Sequence, residues 1–264
     1  MSYRKIFSVV NEHTASTLSA RYAVSLAGAC KAELVLYAAH DIGSNELLLL
    51  RTERHLELLY KIASELGISV RRISEVGTIR ALLPKMVQTE NADLVLYPLM
   101  PLERYGAALQ QHTVHDLLRT IKSDLAIMRT VTMAKPHPRR ILVPLGKVVS
   151  DRERRLMFVS ELAKSFHSHV TLFHLFAEGE TNGTPDDITW FRKQLQLQDL
   201  TVQERSGRGA LQKAITVEAI TRHNDLIVLG ASERGVFRKL FFGNPAGDVM
   251  HKPPCNIILF RPGT

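Results

Sequence analysis

Between Asp225 and Arg261 the chain reads DLIVLGASERGVFRKLFFGNPAGDVMHKPPCNIILFR. Leu226 to Leu229 is a short apolar run with β-branched members, the composition of a strand buried on both faces of a parallel sheet. Gly230 breaks the run, and a polar, basic loop follows with Ser232, Glu233, Arg234, Arg238 and Lys239. Gly243 and Asn244 then open a short amphipathic helix, Ala246 to Met250, which Pro253 and Pro254 end before a second β-rich run, Cys255 to Phe260. Strand, glycine, loop, glycine and helix start offer free backbone N–H groups and a positive helix end to an anion, most often a phosphate. A site made of backbone tolerates side-chain change but not the loss of close approach, which is what glycine supplies.

Other chemistry is thinly represented. His112 and His115 stand three apart on an expected helix, His167 and His169 flank Ser168, and His174 lies in a strand, but no cysteine or carboxylate accompanies them at ligand spacing. They read as solvent or packing histidines. Ser232 lacks a G-x-S-x-G elbow and a placed base. Asp93 and Asp225 precede buried strands with no acid–base partner in view, so no catalytic residue and no metal ligand is assigned.

The elements that must carry the glycine loop occur twice. Asp93-Leu-Val-Leu-Tyr97-Pro98 lies over Asp225-Leu-Ile-Val-Leu229-Gly230 at a displacement of 132 residues, which also sets Asp116 on Asp248 and Arg129 on Arg261. Lys5-Ile6 falls on Arg140-Ile141, and Leu34 to Tyr37 on Val170 to Phe173. With a Pro-containing linker at Met133 to Pro138, 264 residues divide into domains 1–132 and 139–264. In the first, strands are expected at 5–10, 34–39, 70–73, 94–97 and 125–128, with helices at 14–30, 45–66, 78–90 and 113–121. Pro84 should kink the third helix or delay its start. In the second, strands start at Ile141, Val170, Val202, Leu226 and Cys255, with helices at 152–166, 188–195 and 210–222; Asp151 should cap the first of these. A polar loop covers 178–185. The β-α-β-α order argues two doubly wound five-stranded parallel sheets, an α/β fold with helices on both faces.

With 45% hydrophobic and 23% charged residues, the composition is that of a soluble globular protein. No apolar run reaches membrane-span length and Met1 to Lys5 leads straight into a strand, so neither membrane insertion nor a signal peptide is expected. Cys30 and Cys255 read as reduced, buried thiols of a cytoplasmic protein. The net charge of +8 is dispersed, with Arg139-Arg140, Arg152-Arg154-Arg155 and Arg234-Arg238-Lys239 the densest groups. No aromatic–basic interleaving suggests a single-strand binding platform, so a solvated surface is expected and nucleic acid is not.

The Gly230-x2-Glu233-x9-Gly243-Asn244 stretch resembles the nucleotide loop of the universal stress protein family, G-x2-G-x9-G-[S/T/N], and His251 to Cys255 resembles that family's H-x-x-P-C. The resemblance implies an adenine-nucleotide alpha-hydrolase-like fold with its crevice between the ends of strands one and four. It further implies ATP in the second domain. Gly230, Gly243 and Asn244 would form the phosphate loop, with Ala231, Ser232, Pro245 and Ala246 flanking it. Pro144 and Leu145 would make the strand-one lip, and Leu175 would offer backbone to the base. Two positions depart from the family. The acid expected just after strand one is Gly146, and Glu233 replaces a loop glycine. The Glu233 carboxylate would either repel phosphates or share a Mg²⁺ with them.

In the first domain the counterparts of Gly230 and Gly243 are Pro98 and Gln111, and Asn11 stands where the acid would be. That domain is expected to be a structural partner with its fifth strand at the domain–domain face, so that the chain is an intrachain pseudo-dimer, with a homodimer of chains left open. The functional expectation is a tandem regulatory or protective stress-response protein binding an adenine nucleotide. A protein-interaction module with both sites dead, and a weak ATP hydrolase, are the alternatives.

Overall fold

A computed structural model describes residues 2–99, 107–131, 136–146, 148–176, 184–230 and 254–264, with side chains omitted at 107–110. The chain divides into two units, Met1–Thr130 together with Arg261–Thr264, and Val131–Phe260.

In the first unit the order is β1 (Lys5–Val9), α1 (Thr14–Cys30), β2 (Glu33–His40), α2 (Glu46–Glu65), β3 (Val70–Val76), α3 (Ile79–Thr89), β4 (Leu94–Pro98), α4 (Ala107–Thr120) and β5 (Asp124–Arg129). Its strands run parallel in the order β3-β2-β1-β4-β5. The second unit holds β6 (Arg140–Leu145), α5 (Arg152–Phe166), β7 (His169–Phe176), α6 (Asp186–Gln196), β8 (Val202–Arg208), α7 (Leu211–Thr221), β9 (Leu226–Gly230) and β10 (Asn256–Arg261). Its order, again parallel, is β10-β9-β6-β7-β8. Both units are therefore the doubly wound α/β fold that the element order required.

The central strands are apolar because helices cover both faces. Every residue of β4 and of β9 is buried, whereas β3 and β8 alternate toward solvent. Strand alternation sorts the faces of the second sheet. Glu204 of β8 pairs with Arg192 of α6 at 3.2 Å, and its neighbour Arg205 pairs with Glu218 of α7, also at 3.2 Å, so α6 and α7 cover opposite faces. Phe158 of α5 stacks on Phe260 of β10 with centroids 4.3 Å apart and planes 8° from parallel.

The two aspartates that precede the buried strands have a structural task. Asp93 Oδ2 accepts the backbone N–H groups of Arg4 and Lys5 at 2.8 and 2.9 Å, and Asp225 Oδ2 accepts those of Arg139 and Arg140 at 2.9 and 3.1 Å. In each unit a carboxylate thus ties the start of the central strand to the strand beside it, satisfying donors the sheet leaves over.

Some local expectations change. Asn45 caps α2 through Leu47 N at 2.8 Å, but Asp151 sits before α5 in the left-handed region (φ 49°) with no side-chain cap bond, so it is not the cap that its position promised. Pro84 lies inside α3, which starts on time at Ile79, and α4 begins at Ala107, six residues earlier than expected. Cys30 is half-buried; only Cys255 is a buried thiol, and burial beside the Asp225 carboxylate pushes it up to about 12.

Candidate functional site

In a doubly wound sheet the place for a ligand lies beyond the carboxyl ends of the strands, where strand order reverses. In the second unit that point is between β6 and β9. These strands pair through Ile141↔Leu226 and Leu142↔Ile227, whereas β1 and β4 pair one step further, to Ser8↔Leu96. Beyond Leu142 the β6–β9 pair forks. Pro144 sits in the fork with no N–H to give, and its carbonyl is taken by Arg155 Nη2 of α5 at 2.7 Å. Leu145, 4% exposed, ends the strand, and exposed Gly146 follows. Among the described residues, a Cβ on Gly146 would meet only the Val148 carbonyl, at 3.6 Å. Leu175 is half-buried on the next strand, and buried Gly230 pairs with Phe260 at the end of β9. Pro144, Leu145, Leu175 and Gly230 are thus all at or next to strand carboxyl ends, bracketing the fork. Ala231, Ser232, Gly243, Asn244, Pro245 and Ala246 lie outside the described residues, as does Glu233.

Two side chains that the sequence did not nominate stand at this lip. Arg155, read from sequence as part of a solvated basic group, is 2% exposed. His174 is 5% exposed, its Nδ1 lies 3.3 Å from the Leu145 carbonyl, and its Nε2 is buried without a hydrogen-bond partner among the described residues. A carbonyl can only accept, so Nδ1 carries the proton that it donates. His174 pairs in register with Ser206, one residue beyond Arg205, and so projects from the face that α6 covers. What could have found these residues is their spacing. Arg155 is one helical turn from Phe158 and Val159 on the buried stripe of α5, and His174 alternates with Phe173 and Leu175.

The loop between β6 and α5 is anchored. Val149 N–H donates to Asp187 Oδ2 at 2.8 Å, Arg152 Nη1 meets Asp187 Oδ1 at 2.9 Å, and the Arg152 guanidinium lies 4.6 Å from the Trp190 ring centroid. The Val149 N–H and the Arg152 charge hold the Asp187 carboxyl below its usual range.

The corresponding end of β1 is closed by its own side chains. Asn11 Oδ1 accepts from His13 N at 3.0 Å, Ser16 Oγ bonds both the N–H and the carbonyl of Asn11 at 3.1 and 3.0 Å, and His55 Nδ1 reaches that same carbonyl at 2.7 Å. Past β4, Pro98 has no N–H, and the Leu99 N–H is consumed by the Met128 carbonyl at 2.8 Å. Gln111 lies within α4, so regular helix stands at the position equivalent to Gly243. Tyr97 is buried beside this end, its phenol pushed up to about 12 by loss of solvent.

Among the described residues no group of His, Cys, Asp and Glu could hold a metal ion; His112 and His115 are both exposed. A trough of about 460 Å³ lies over α2 and β3, lined by Glu53, Arg54, Glu57, Leu58, Lys61 and Arg72. Glu57 pairs with both Lys61 and Arg72 across it. No helix among the described residues is long and apolar enough to cross a membrane.

Comparison with known proteins agrees with this geometry. The model of the universal stress protein family matches residues 137–261. A universal stress protein from Archaeoglobus fulgidus is 14% identical, with 98% of this chain and 96% of that one aligned at a TM-score of 0.64. A functionally unknown protein from Pseudomonas aeruginosa, PA1789, is 16% identical over 98% and 93% at 0.63. A universal stress protein in complex with cAMP aligns with 47% of this chain and 95% of its own at 17% identity and a TM-score of 0.39. A search of curated proteins finds no match. Residues 137–261 thus belong to the universal stress protein family, and the chain as a whole has that family's fold.

Proposed function

We propose that this chain is a tandem universal stress protein whose second unit binds an adenine nucleotide, ATP or a relative of it, and whose first unit does not. The observation that carries the reading is the fork between β6 and β9. It opens at the switch point between Pro144 and Gly230, with a side-chain-free position at Gly146 and a glycine-rich loop following in sequence. The nucleotide would rest its base against Leu145 and Leu175, and its phosphates on the backbone of Gly230, Ala231, Ser232, Gly243, Asn244, Pro245 and Ala246. Closure of β1 by Asn11, Ser16 and His55, and consumption of the Leu99 N–H, argue that the first unit is a structural partner. The output is regulatory, through nucleotide-dependent contacts with other proteins under stress in the cytoplasm. No nucleophile or general base among the described residues supports hydrolysis as the principal activity.

The test is to purify the chain without added nucleotide, denature it and chromatograph what is released, and in parallel to measure melting with millimolar ATP. Bound adenine nucleotide, or stabilisation by ATP that Gly243→Val removes, is the expected result. An empty protein indifferent to ATP would leave an interaction module without a ligand.

A further inference from the structure

At the amino ends of their strands the two units set four side chains at the same four places. Lys5 and Arg140 open the first strand of each sheet, with Glu33 and His169 beside them in register. Arg71 and Gln203 hold matching places on the third strand. Glu90 and Arg222 cap the carboxyl ends of α3 and α7, each followed by a left-handed residue, Asn91 or His223.

In the first unit this quartet neutralises itself. Lys5 Nζ meets Glu33 at 3.3 Å and Glu90 at 3.0 Å, and Arg71 meets the same two carboxylates, Glu33 at 2.6 Å. In the second unit both acids are gone: an imidazole, His169, replaces Glu33, and a guanidinium, Arg222, replaces Glu90.

Little is left to balance the charge. Arg140 Nη1 donates to the Arg222 carbonyl at 2.9 Å, a neutral acceptor. Arg222 Nε lies 4.0 Å from Glu218 Oε1, an oxygen that Arg205 Nε already holds at 3.2 Å. Asp225, the other carboxylate on this edge, spends Oδ2 on the backbone N–H groups of Arg139 and Arg140. Arg139, Arg140, His169, Gln203, Arg222 and His223 are all exposed. A guanidinium keeps its charge, and its planar fork matches a carboxylate through two parallel hydrogen bonds. The histidines are not needed as cations, since a neutral imidazole still donates one N–H.

We infer that this edge of the second unit docks an acidic segment of a partner protein, whose carboxylates do for Arg140 and Arg222 what Glu33 and Glu90 do for Lys5 and Arg71. Alternate residues of an extended segment present their side chains on one face, which suits a row of exposed forks. The first unit favours a carboxylate partner over a phosphate one, because carboxylates are what it sets on this quartet. This surface supplies the protein contact of the regulatory reading above. It lies at the strand starts, whereas the fork lies at the strand ends, so the two can fail separately.

The test is fluorescence anisotropy of the full chain with a labelled peptide of alternating Glu and Ser, about twelve residues long so that it crosses the edge when extended. Saturable binding at low ionic strength is expected, and it should weaken as salt rises. Arg140→Gln with Arg222→Gln should weaken it at least about ten-fold, and Arg222→Glu, which restores the acid of the first unit, at least as much. Arg51→Gln with Arg54→Gln removes the same charge from exposed positions of α2 and should change binding by less than about two-fold. All these positions are exposed, and circular dichroism checks that each variant is folded. No binding of the peptide, or equal weakening by both pairs of substitutions, overturns the inference. A DNA duplex and phosphatidylserine vesicles run in parallel. Tighter binding of either one, lost with the Arg140 and Arg222 pair, would also overturn it by showing a surface for phosphates. Failure of the peptide to bind a chain that still binds ATP leaves the nucleotide reading standing, and peptide binding without ATP binding leaves this one.

Discussion

The two units finish their first strands in opposite ways. In the first, Asn11, Ser16 and His55 hydrogen-bond to one another's backbone and side chains and shut the strand end. In the second, a glycine follows the strand and two buried basic side chains hold its last carbonyls. The same exchange recurs one layer away. Tyr37 donates its hydroxyl to Glu75 at 2.7 Å, while the matching pair is Phe173 and Gly207, the ring filling the space that a side chain on Gly207 would need. A duplicated fold can thus keep its register and strand order while reassigning what each strand end does. The two units differ in the few residues past the strand, not in the sheet.

Breaking the shared core should give the largest effects and should affect the two units alike. Tyr22 and Phe158 occupy the same place on α1 and α5, both fully buried. Truncating either to alanine is expected to cost about 3–5 kcal/mol in urea denaturation. The comparison sharpens with ligand. At a hundred-fold excess over its dissociation constant, ATP should restore about 2.7 kcal/mol to the unit that binds it. It should therefore rescue Phe158→Ala, followed by tryptophan emission, and leave the Tyr22→Ala transition unmoved. Rescue of both, or of neither, would erase the asymmetry.

Next in size come the aspartate clasps. Asp93→Ala and Asp225→Ala each strip the acceptor from two backbone N–H groups, at about 1–3 kcal/mol. Equal losses within error are expected in chemical denaturation; a loss at one only would mean that the clasp matters in one unit. Gly207→Ala should cost about 1–2 kcal/mol, because the added methyl would lie 2.8 Å from Phe173 Cζ and the ring must shift. Phe173→Leu in the same background should return part of that loss in a double-mutant cycle.

The smallest effect is the response to acid: besides Asp187 in the second unit, it acts on a charge cluster in the first. Lys5, Glu33, Arg71 and Glu90 form one cluster there, with Arg71 to Glu33 at 2.6 Å and Lys5 to Glu90 at 3.0 Å. The Arg71 guanidinium, helped by Lys5, holds both carboxyls below their usual value of 4.5. A carboxylate depressed by folding stabilises above its unfolded pKa and stops doing so as pH falls through the folded one. Stability of this unit should therefore decline as pH drops below about 4.5. Solvent screening keeps the loss modest. The matching positions in the second unit are Arg140, His169, Gln203 and Arg222, without an acid. Hydrogen exchange resolved by unit across this pH range is the measurement.

Much of the fold could be read from the chain. Runs such as Leu94–Tyr97 and Leu226–Leu229 can only be strands buried on both faces, and their recurrence announced two copies before any coordinate was known. Pro144, Leu145, Leu175 and Gly230, which the family resemblance proposed, stand at or next to strand carboxyl ends. Arg155 and His174 were not proposed, because a charged residue on an apolar stripe reads as solvated until something shows what it bonds. The clasps of Asp93 and Asp225 escaped for a related reason. Their partners are main-chain N–H groups some ninety residues away, which carry no mark in the sequence. Asp151 failed as a cap because the residue before α5 is left-handed, a backbone state that side-chain type alone does not announce.

The chain holds a single tryptophan, and it is the indole on which Arg152 rests while Arg152 and Val149 fasten the loop after β6 to Asp187. All indole emission therefore originates within one side chain of that fastening, and the other unit is dark at those wavelengths. A molecule settling against Gly146 would tug on the loop and change the cation above the ring. The protein thus carries its own optical gauge for the strand end at which we propose the nucleotide sits, and reading it calls for neither label nor engineered probe.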